Sequence, residues 1–168
     1  MGINISRIGH VGFLVSDFER SLKFYTEVIG CTITNQSKSP DGSQRAFLRF
    51  NEDHHNIVIG TAPKGTDVSA EGQPVRLIQQ IALEVENRDE FFKALAHLHS
   101  KGVEPISGPL VHGIEGGGNL GGSGSRSFYF LDPDGNRLEI FTDSMKVPNG
   151  EQFPREEYVE AMKAYSSR

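Results

Sequence analysis

His10-Val11-Gly12-Phe13-Leu14-Val15 and Gln80-Ile81-Ala82-Leu83-Glu84-Val85 align in register, with small and apolar positions matching. Each segment runs into a helix start, at Asp17 and at Asn87, and each following helix closes on a glycine, Gly30 and Gly102. The chain therefore reads as one supersecondary unit used twice, whose equivalent side chains can converge near a pseudo-twofold axis. His10 and Gln80 are such a pair, and they are the first candidates for a shared site.

Outward from His10, residues 8–16 alternate as a strand, with Val11, Phe13 and Val15 on one face and His10, Gly12 and Leu14 on the other. Ser16-x-x-Glu19 has the spacing of a capping box. Phe18, Leu22, Tyr25 and Ile29 recur at helical spacing, and Gly30 offers a left-handed stop. Shorter strands are expected at 31–37, 44–50 and 55–60, the first two joined by the turn Ser39-Pro40-Asp41-Gly42. Outward from Gln80, the spacing predicts a strand at 77–85 and a helix at 88–101 with Phe91, Leu95 and Leu98 along a stripe. Strands follow near 103–112, 126–131 and 137–142, the last two joined through Asp132-Pro133-Asp134-Gly135.

The expected fold is α+β: two tandem βαβββ modules forming a cupped mixed sheet with flanking helices. Module 1 occupies 7–60, a Gly-, Pro- and Ser-bearing linker 61–75, and module 2 76–143. A polar tail at 144–168 holds one short helix around Tyr158, Val159, Met162 and Tyr165.

The 168 residues fit one domain of two halves. A net charge of −5 without a basic cluster argues against nucleic acid as a partner. No apolar run reaches the roughly 18 residues of a membrane span, and no leader opens the chain, so a cytoplasmic location is expected. The single cysteine, Cys31, excludes an internal disulfide and fits a reducing compartment. What remains as partner is a small polar molecule or another protein.

Several side chains stand out chemically. Glu139 lies in the apolar run Leu138-Glu139-Ile140-Phe141, and a carboxylate there needs a compensating charge: a metal, Arg137 or Arg126. His10 on a strand reads as a structural histidine until it is paired with Glu139. Gln80 reads equally as a core hydrogen bonder or a ligand. His55, next to His54 in a loop, is either solvated or part of a site, and Tyr129 in Phe128-Tyr129-Phe130 is either core or functional. Gly116-Gly117-Gly118-Asn119-Leu120-Gly121 has dinucleotide-binding spacing, but no helix follows it. The stretch 115–125 is read instead as a loop beside the cup. His97 and His99 read as helix-surface residues.

Ile8-Gly9-His10-Val11-Gly12-Phe13 and Asp132-Pro133-Asp134-Gly135-Asn136-Arg137-Leu138-Glu139 resemble the vicinal oxygen chelate superfamily, over about residues 7–143. That superfamily includes glyoxalase I, bleomycin-resistance proteins, fosfomycin-resistance enzymes, methylmalonyl-CoA epimerase and type I extradiol dioxygenases. The resemblance implies paired modules around a divalent metal, with His10 and Glu139 at two ligand positions. Asp53-His54-His55-Asn56-Ile57-Val58, Gly108-Pro109-Leu110-Val111-His112-Gly113 and Tyr129 are similar to segments of small extradiol dioxygenases. These map onto an acid–base histidine at His55, a substrate-bonding histidine at His112 and an active-site tyrosine at Tyr129. The departure is Gln80, where those dioxygenases have histidine. Glutamine occurs among the ligands of glyoxalase I and the epimerase, but their fourth ligand would fall near Val58, which cannot ligate.

The resemblance thus implies a metal-dependent, extradiol-dioxygenase-like enzyme cleaving a small catecholic or vicinal-oxygen substrate with dioxygen. Its metal set is His10, Gln80 and Glu139, its catalytic set His55, His112 and Tyr129. Fe(II) or Mn(II) is the expected cofactor, since an amide oxygen is a harder, weaker donor than imidazole. The alternatives are a glyoxalase- or epimerase-type lyase or isomerase, and a non-catalytic, bleomycin-type binding protein. A homodimer is expected from the same resemblance.

Overall fold

The computed structural model describes residues 7–65, 68, 79–116, 122–148 and 153–166. Of the expected linker, 66, 67 and 69–75 lie outside the described residues. So do 77 and 78 of the expected fifth strand and most of the glycine run at 116–121. The chain divides into two compact units. One comprises Met1–Gln79 with Leu131–Asn136, the other Gln80–Phe130 with Arg137–Arg168.

The first unit is built from β1 (Val11–Val15), α1 (Phe18–Lys23), β2 (Thr32–Lys38), β3 (Gln44–Arg49) and β4 (Ile57–Thr61). Its sheet runs in the order β1-β4-β3-β2. β1 and β4 are parallel, because α1 crosses between the sheet's edges; β4, β3 and β2 are antiparallel neighbours. The alternation read in β1 holds: Phe13 and Val15 are buried while Gly12 and Leu14 are exposed. Ala46, Leu48, Ile57 and Ile59 complete the buried face.

Two details of the first helix differ from the sequence reading. The capping box does not form; Asp17 is the N-cap, its carboxylate accepting from the Arg20 N–H at 3.0 Å. Ser16 instead donates its hydroxyl to Asp134. After α1 the coil widens into a π-helical turn over Phe24–Val28. That turn moves the buried stripe off the regular 3.6-residue spacing, so Phe18, Ser21, Phe24 and Tyr25 face inward while Leu22 and Ile29 are only half-buried. Tyr25 stacks on Phe13 with centroids 5.8 Å apart.

The turn Asp132-Pro133-Asp134-Gly135 belongs with this unit because two buried carboxylates tie it to the first helix. Tyr25 Oη donates to Asp132 at 2.9 Å, and Ser21 Oγ donates to Asp134 at 2.7 Å. The Ser16 N–H and Arg20 Nη2 reach Asp134 at 3.0 Å each. Burial pushes the Asp134 carboxyl upward, but the Ser16 and Ser21 hydrogen bonds and the Arg20 charge outweigh it, leaving it below the usual carboxylate range. For Tyr25, burial and then the Asp132 charge push the phenol well above its ordinary value.

The second unit repeats the plan with β5 (Ile81–Glu84), α2 (Arg88–Ser100), β6 (Ser107–Val111), β7 (Arg126–Leu131) and β8 (Arg137–Thr142), followed by α3 (Glu156–Ser166). The sheet order is β5-β8-β7-β6, with β5 and β8 parallel. Asn87 caps α2 by accepting from the Glu90 N–H at 3.0 Å. Phe91 and Leu98 bury the helix face against the sheet, Phe91 meeting Phe128 edge-on at 5.0 Å. Burying each such side chain contributes about 1.5–3 kcal/mol. The fold is therefore α+β, with two four-stranded mixed sheets in βαβββ order, as the repeat implied.

Candidate functional site

In the second unit the expected residues lie on or at the ends of four strands and meet at one sheet face. Glu139 on β8 points away from the helix-covered face that takes Leu138 and Ile140. It is nevertheless only 5% exposed. Gln80, just before β5, donates its amide Nε2–H to Glu139 Oε2 at 2.6 Å. Tyr129 on β7 donates its hydroxyl to Glu139 Oε1 at 3.1 Å, and its oxygen lies 2.6 Å from His112 Nε2. Because the Tyr129 proton is committed to the carboxylate, His112 must donate, which fixes the proton on Nε2. Burial, then the Glu139 charge and hydrogen bond, raise the Tyr129 phenol above its ordinary value.

His112 is placed by a loop return after β6. Its N–H donates to the Ser125 carbonyl at 2.8 Å, and its own carbonyl accepts from the Gly124 N–H at 2.6 Å. Upstream, Gly108 lies at φ +87 where a Cβ would stand 2.6 Å from the Ser127 carbonyl oxygen. Only glycine allows that approach, and it shifts the β6–β7 register between Ser107 and Leu110.

Neither arginine suggested as a counter-charge pairs with Glu139. Arg126 donates to Asp143 at 3.2 Å, and the Arg137 guanidinium lies over the Tyr129 ring, 4.0 Å from its centroid. His112 Nε2 lies 3.8 Å from Glu139 Oε1 and carries a charge only when protonated. A buried carboxylate served only by neutral donors lacks the compensating charge that burial demands. That deficit, with a carboxamide as neighbour, fits a hard divalent cation at Glu139 and Gln80, provided the Gln80 amide turns its oxygen inward. Among the described residues no three His, Cys, Asp or Glu side chains gather around one point.

In the first unit the structure brings His10 and His55 together, with ring centroids 4.4 Å apart. His55 Nδ1 also lies 2.9 Å from His54 Nδ1, so one of the two must donate to the other. Phe47 closes edge-on against His55 at 4.9 Å. Partial burial, then the neighbouring charges of His10 and His54, hold the His55 imidazole below its ordinary value. This favours a neutral ring near pH 7. His97 and His99 are exposed on α2, as read, His99 pairing with Glu104 at 3.0 Å.

Sequence reasoning missed two participants. Arg137 was weighed only as a counter-ion, and its stacking on Tyr129 depends on the β7–β8 pairing. Phe47 carried no signal at all, being one apolar residue of an ordinary strand.

The biphenyl-2,3-diol 1,2-dioxygenase 2 of Rhodococcus globerulus is 26% identical over 143 residues, 85% of this chain. The chain spans 66% of that relative's length. A protein named "Probable lactoylglutathione lyase" from Synechocystis is 27% identical over 141 residues, covering 82% of this chain and 95% of its own. Among solved structures, a mutant of the fosfomycin resistance protein FosX from Listeria monocytogenes, complexed with Mn(II) and 1S,2S-dihydroxypropylphosphonic acid, matches in fold. Its TM-score is 0.59 at 19% identity, over 84% of this chain and 95% of that one. The model of the Glyoxalase/Bleomycin resistance protein/Dioxygenase superfamily matches residues 7–140. With that match spanning both βαβββ units, the chain belongs to the glyoxalase, bleomycin resistance protein and dioxygenase superfamily.

Proposed function

We propose that the chain is a metal-dependent enzyme of the extradiol-dioxygenase kind, acting on a small catechol or related vicinal-oxygen substrate. The observation that carries this reading is the hydrogen-bonded set Gln80–Glu139–Tyr129–His112 around a buried carboxylate without a counter-ion. His10, Gln80 and Glu139 would hold the metal. When bound, Fe(II) or Mn(II) supplies Lewis acidity toward the vicinal oxygens and redox access to dioxygen.

The protein's own groups divide the remaining work. His55, neutral near pH 7, accepts a proton from the incoming catechol and later returns one to the opened ring. Tyr129 and His112 hold substrate oxygens, and His112, with its side chain 37% exposed, is the member an incoming molecule can reach. Phe47 restricts the movement of the His55 ring.

Aerobic assays of catechol, 3-methylcatechol and 2,3-dihydroxybiphenyl with Fe(II) or Mn(II) test the reading through the yellow ring-opened product. No colour from any of the three would remove it. Gln80→His, which restores imidazole at that position, is expected to raise Fe(II) affinity. Unchanged affinity would mean that residue 80 takes no part in binding.

A second reading, a lyase or isomerase of the glyoxalase or epimerase kind, is favoured by Gln80 itself and by the near-complete length match to the Synechocystis protein. Metal-loaded turnover under argon would select it. Absence of metal after reloading would leave a binding protein.

A further inference from the structure

The exposed face of the first unit's sheet carries a cavity of about 580 Å³, within the size range of small-ligand sites. Strand register orders its lining. One row across the sheet is Leu14, Gly60, Arg45 and Ser37; the next is Gly12, Val58 and Phe47. His10, two residues before Gly12, lines the far end.

Two observations point to a ligand. The first is the glycine floor. Gly12 and Gly60 sit inside strands, where glycine costs about 0.5–1 kcal/mol. Neither has a positive φ, and nothing in the fold requires either to be small. A Cβ on Gly12 would meet nothing within 4 Å, and one on Gly60 only the Gln44 carbonyl oxygen at 3.8 Å. Side chains there would simply stand in the cavity, so the two glycines act as space.

The second is Arg45. Among the described residues it forms no ion pair and donates no side-chain hydrogen bond, and no carboxylate lines the cavity. Ser37 lies directly across the strand pair from it. Asp41, the nearest acid in sequence, is engaged by Ser43 in the β2–β3 turn.

We propose that this trough binds a small planar ring bearing a carboxylate. Arg45 grips the carboxylate through its fork of N–H groups, with Ser37 beside it. The ring lies over Gly12 and Gly60 with Phe47 as a wall, and its far edge is directed toward His10. Arg45 and His10 belong to rows four residues apart along β1, about 13 Å at the usual strand rise, and the arginine's own length shortens that span to suit a single substituted ring. The orientation toward His10 rests on the ring-cleavage reading; the assignment of the carboxylate does not.

Calorimetric titration with 3,4-dihydroxybenzoate and with its uncharged amide, 3,4-dihydroxybenzamide, tests the proposal on wild-type protein, Arg45→Gln and Gly60→Val. Wild type should bind the acid about tenfold or more tightly than the amide, the discrimination expected of a charged hydrogen bond. Arg45→Gln should bring the two near parity, and Gly60→Val should weaken both at an unchanged thermal midpoint. Equal binding of acid and amide by wild type, or a preference surviving in Arg45→Gln, would overturn it. Because wild type alone carries the first comparison, poor folding of a variant cannot shield the idea. Tight, selective binding of the acid without ring opening would sink the ring-cleavage reading and leave this one standing.

Discussion

Asp134 shows how much one buried carboxylate can organise. Ser16, Arg20 and Ser21 all donate to it, so it fixes the start of α1 against a turn 113 or more residues away. Asp134→Asn keeps the shape but removes the charge those donors face. A loss of roughly 1.5–3 kcal/mol is expected, the range of a charged hydrogen bond, and urea unfolding would measure it. The sign of the pH dependence follows from the lowered carboxyl. A depressed folded value means stability is fully present above the unfolded carboxylate range and is lost as pH falls through the folded value. Acid unfolding below about pH 4 should therefore be blunted in Asp134→Asn relative to wild type. An identical acid slope in the two proteins would contradict the role. Tyr129→Phe makes a parallel point at the site. It strips a donor from Glu139 and a partner from His112, so on the proposed function turnover should fall about 10–100-fold, the loss of one charged hydrogen bond, while the thermal midpoint stays close to that of wild type. Steady-state assays on a well-folded variant decide this.

At the scale of elements, β6 is the piece that delivers His112, and its glycine is the vulnerable point. Gly108→Ala would place a methyl 2.6 Å from the Ser127 carbonyl and force a left-handed φ on alanine. A destabilisation of about 1–3 kcal/mol is expected, with His112 displaced along the strand. Thermal denaturation together with the His112 ring signals in NMR would report both effects, and an unshifted ring signal would contradict the placement. By contrast Gly12 and Gly60, equally glycine in sequence, should accept alanine with no loss of stability, because a Cβ on Gly12 meets nothing within 4 Å and one on Gly60 only an ordinary contact with the Gln44 carbonyl oxygen at 3.8 Å. The difference between these glycines lies wholly in what approaches them.

Across the two units, each sheet has the same order and the same parallel outer pair, and α1 and α2 are capped by an Asp or Asn at the same place. If His10, Gln80 and Glu139 bind one cation, Mn(II) at a hundred times its dissociation constant should stabilise the folded chain by about 2.7 kcal/mol. Scanning calorimetry would show a rise of several degrees, reversed by chelation and absent from Glu139→Gln. A chain indifferent to every divalent ion tested would leave the metal set without support. Homodimerisation, expected from the superfamily resemblance, predicts a sedimenting species of twice the 18.5 kDa chain mass. No described helix is long and apolar enough to cross a membrane.

The internal repeat, the alternation of β1 and the Asp-Pro-Asp-Gly turn were enough to specify two βαβββ units. They are local patterns, repeated every two residues or set by a short turn, and they need no knowledge of distant partners. Gln80 and Glu139 were each legible as a candidate, one because it sits at the start of the second copy and the other because it lies in an apolar run that cannot hold a lone charge, but their hydrogen bond to each other was not. Other features depended on contacts far apart in sequence. Ser16 abandoned its capping role because Asp134 offered it a buried acceptor, a competition invisible within four residues of chain. The stripe of α1 slipped because a π-helical turn packs Phe24 and Tyr25 inward together. Whether Arg137 neutralises Glu139 or stacks on Tyr129, and whether a glycine is a hinge, a close approach or open space, was settled only by which strands lie side by side.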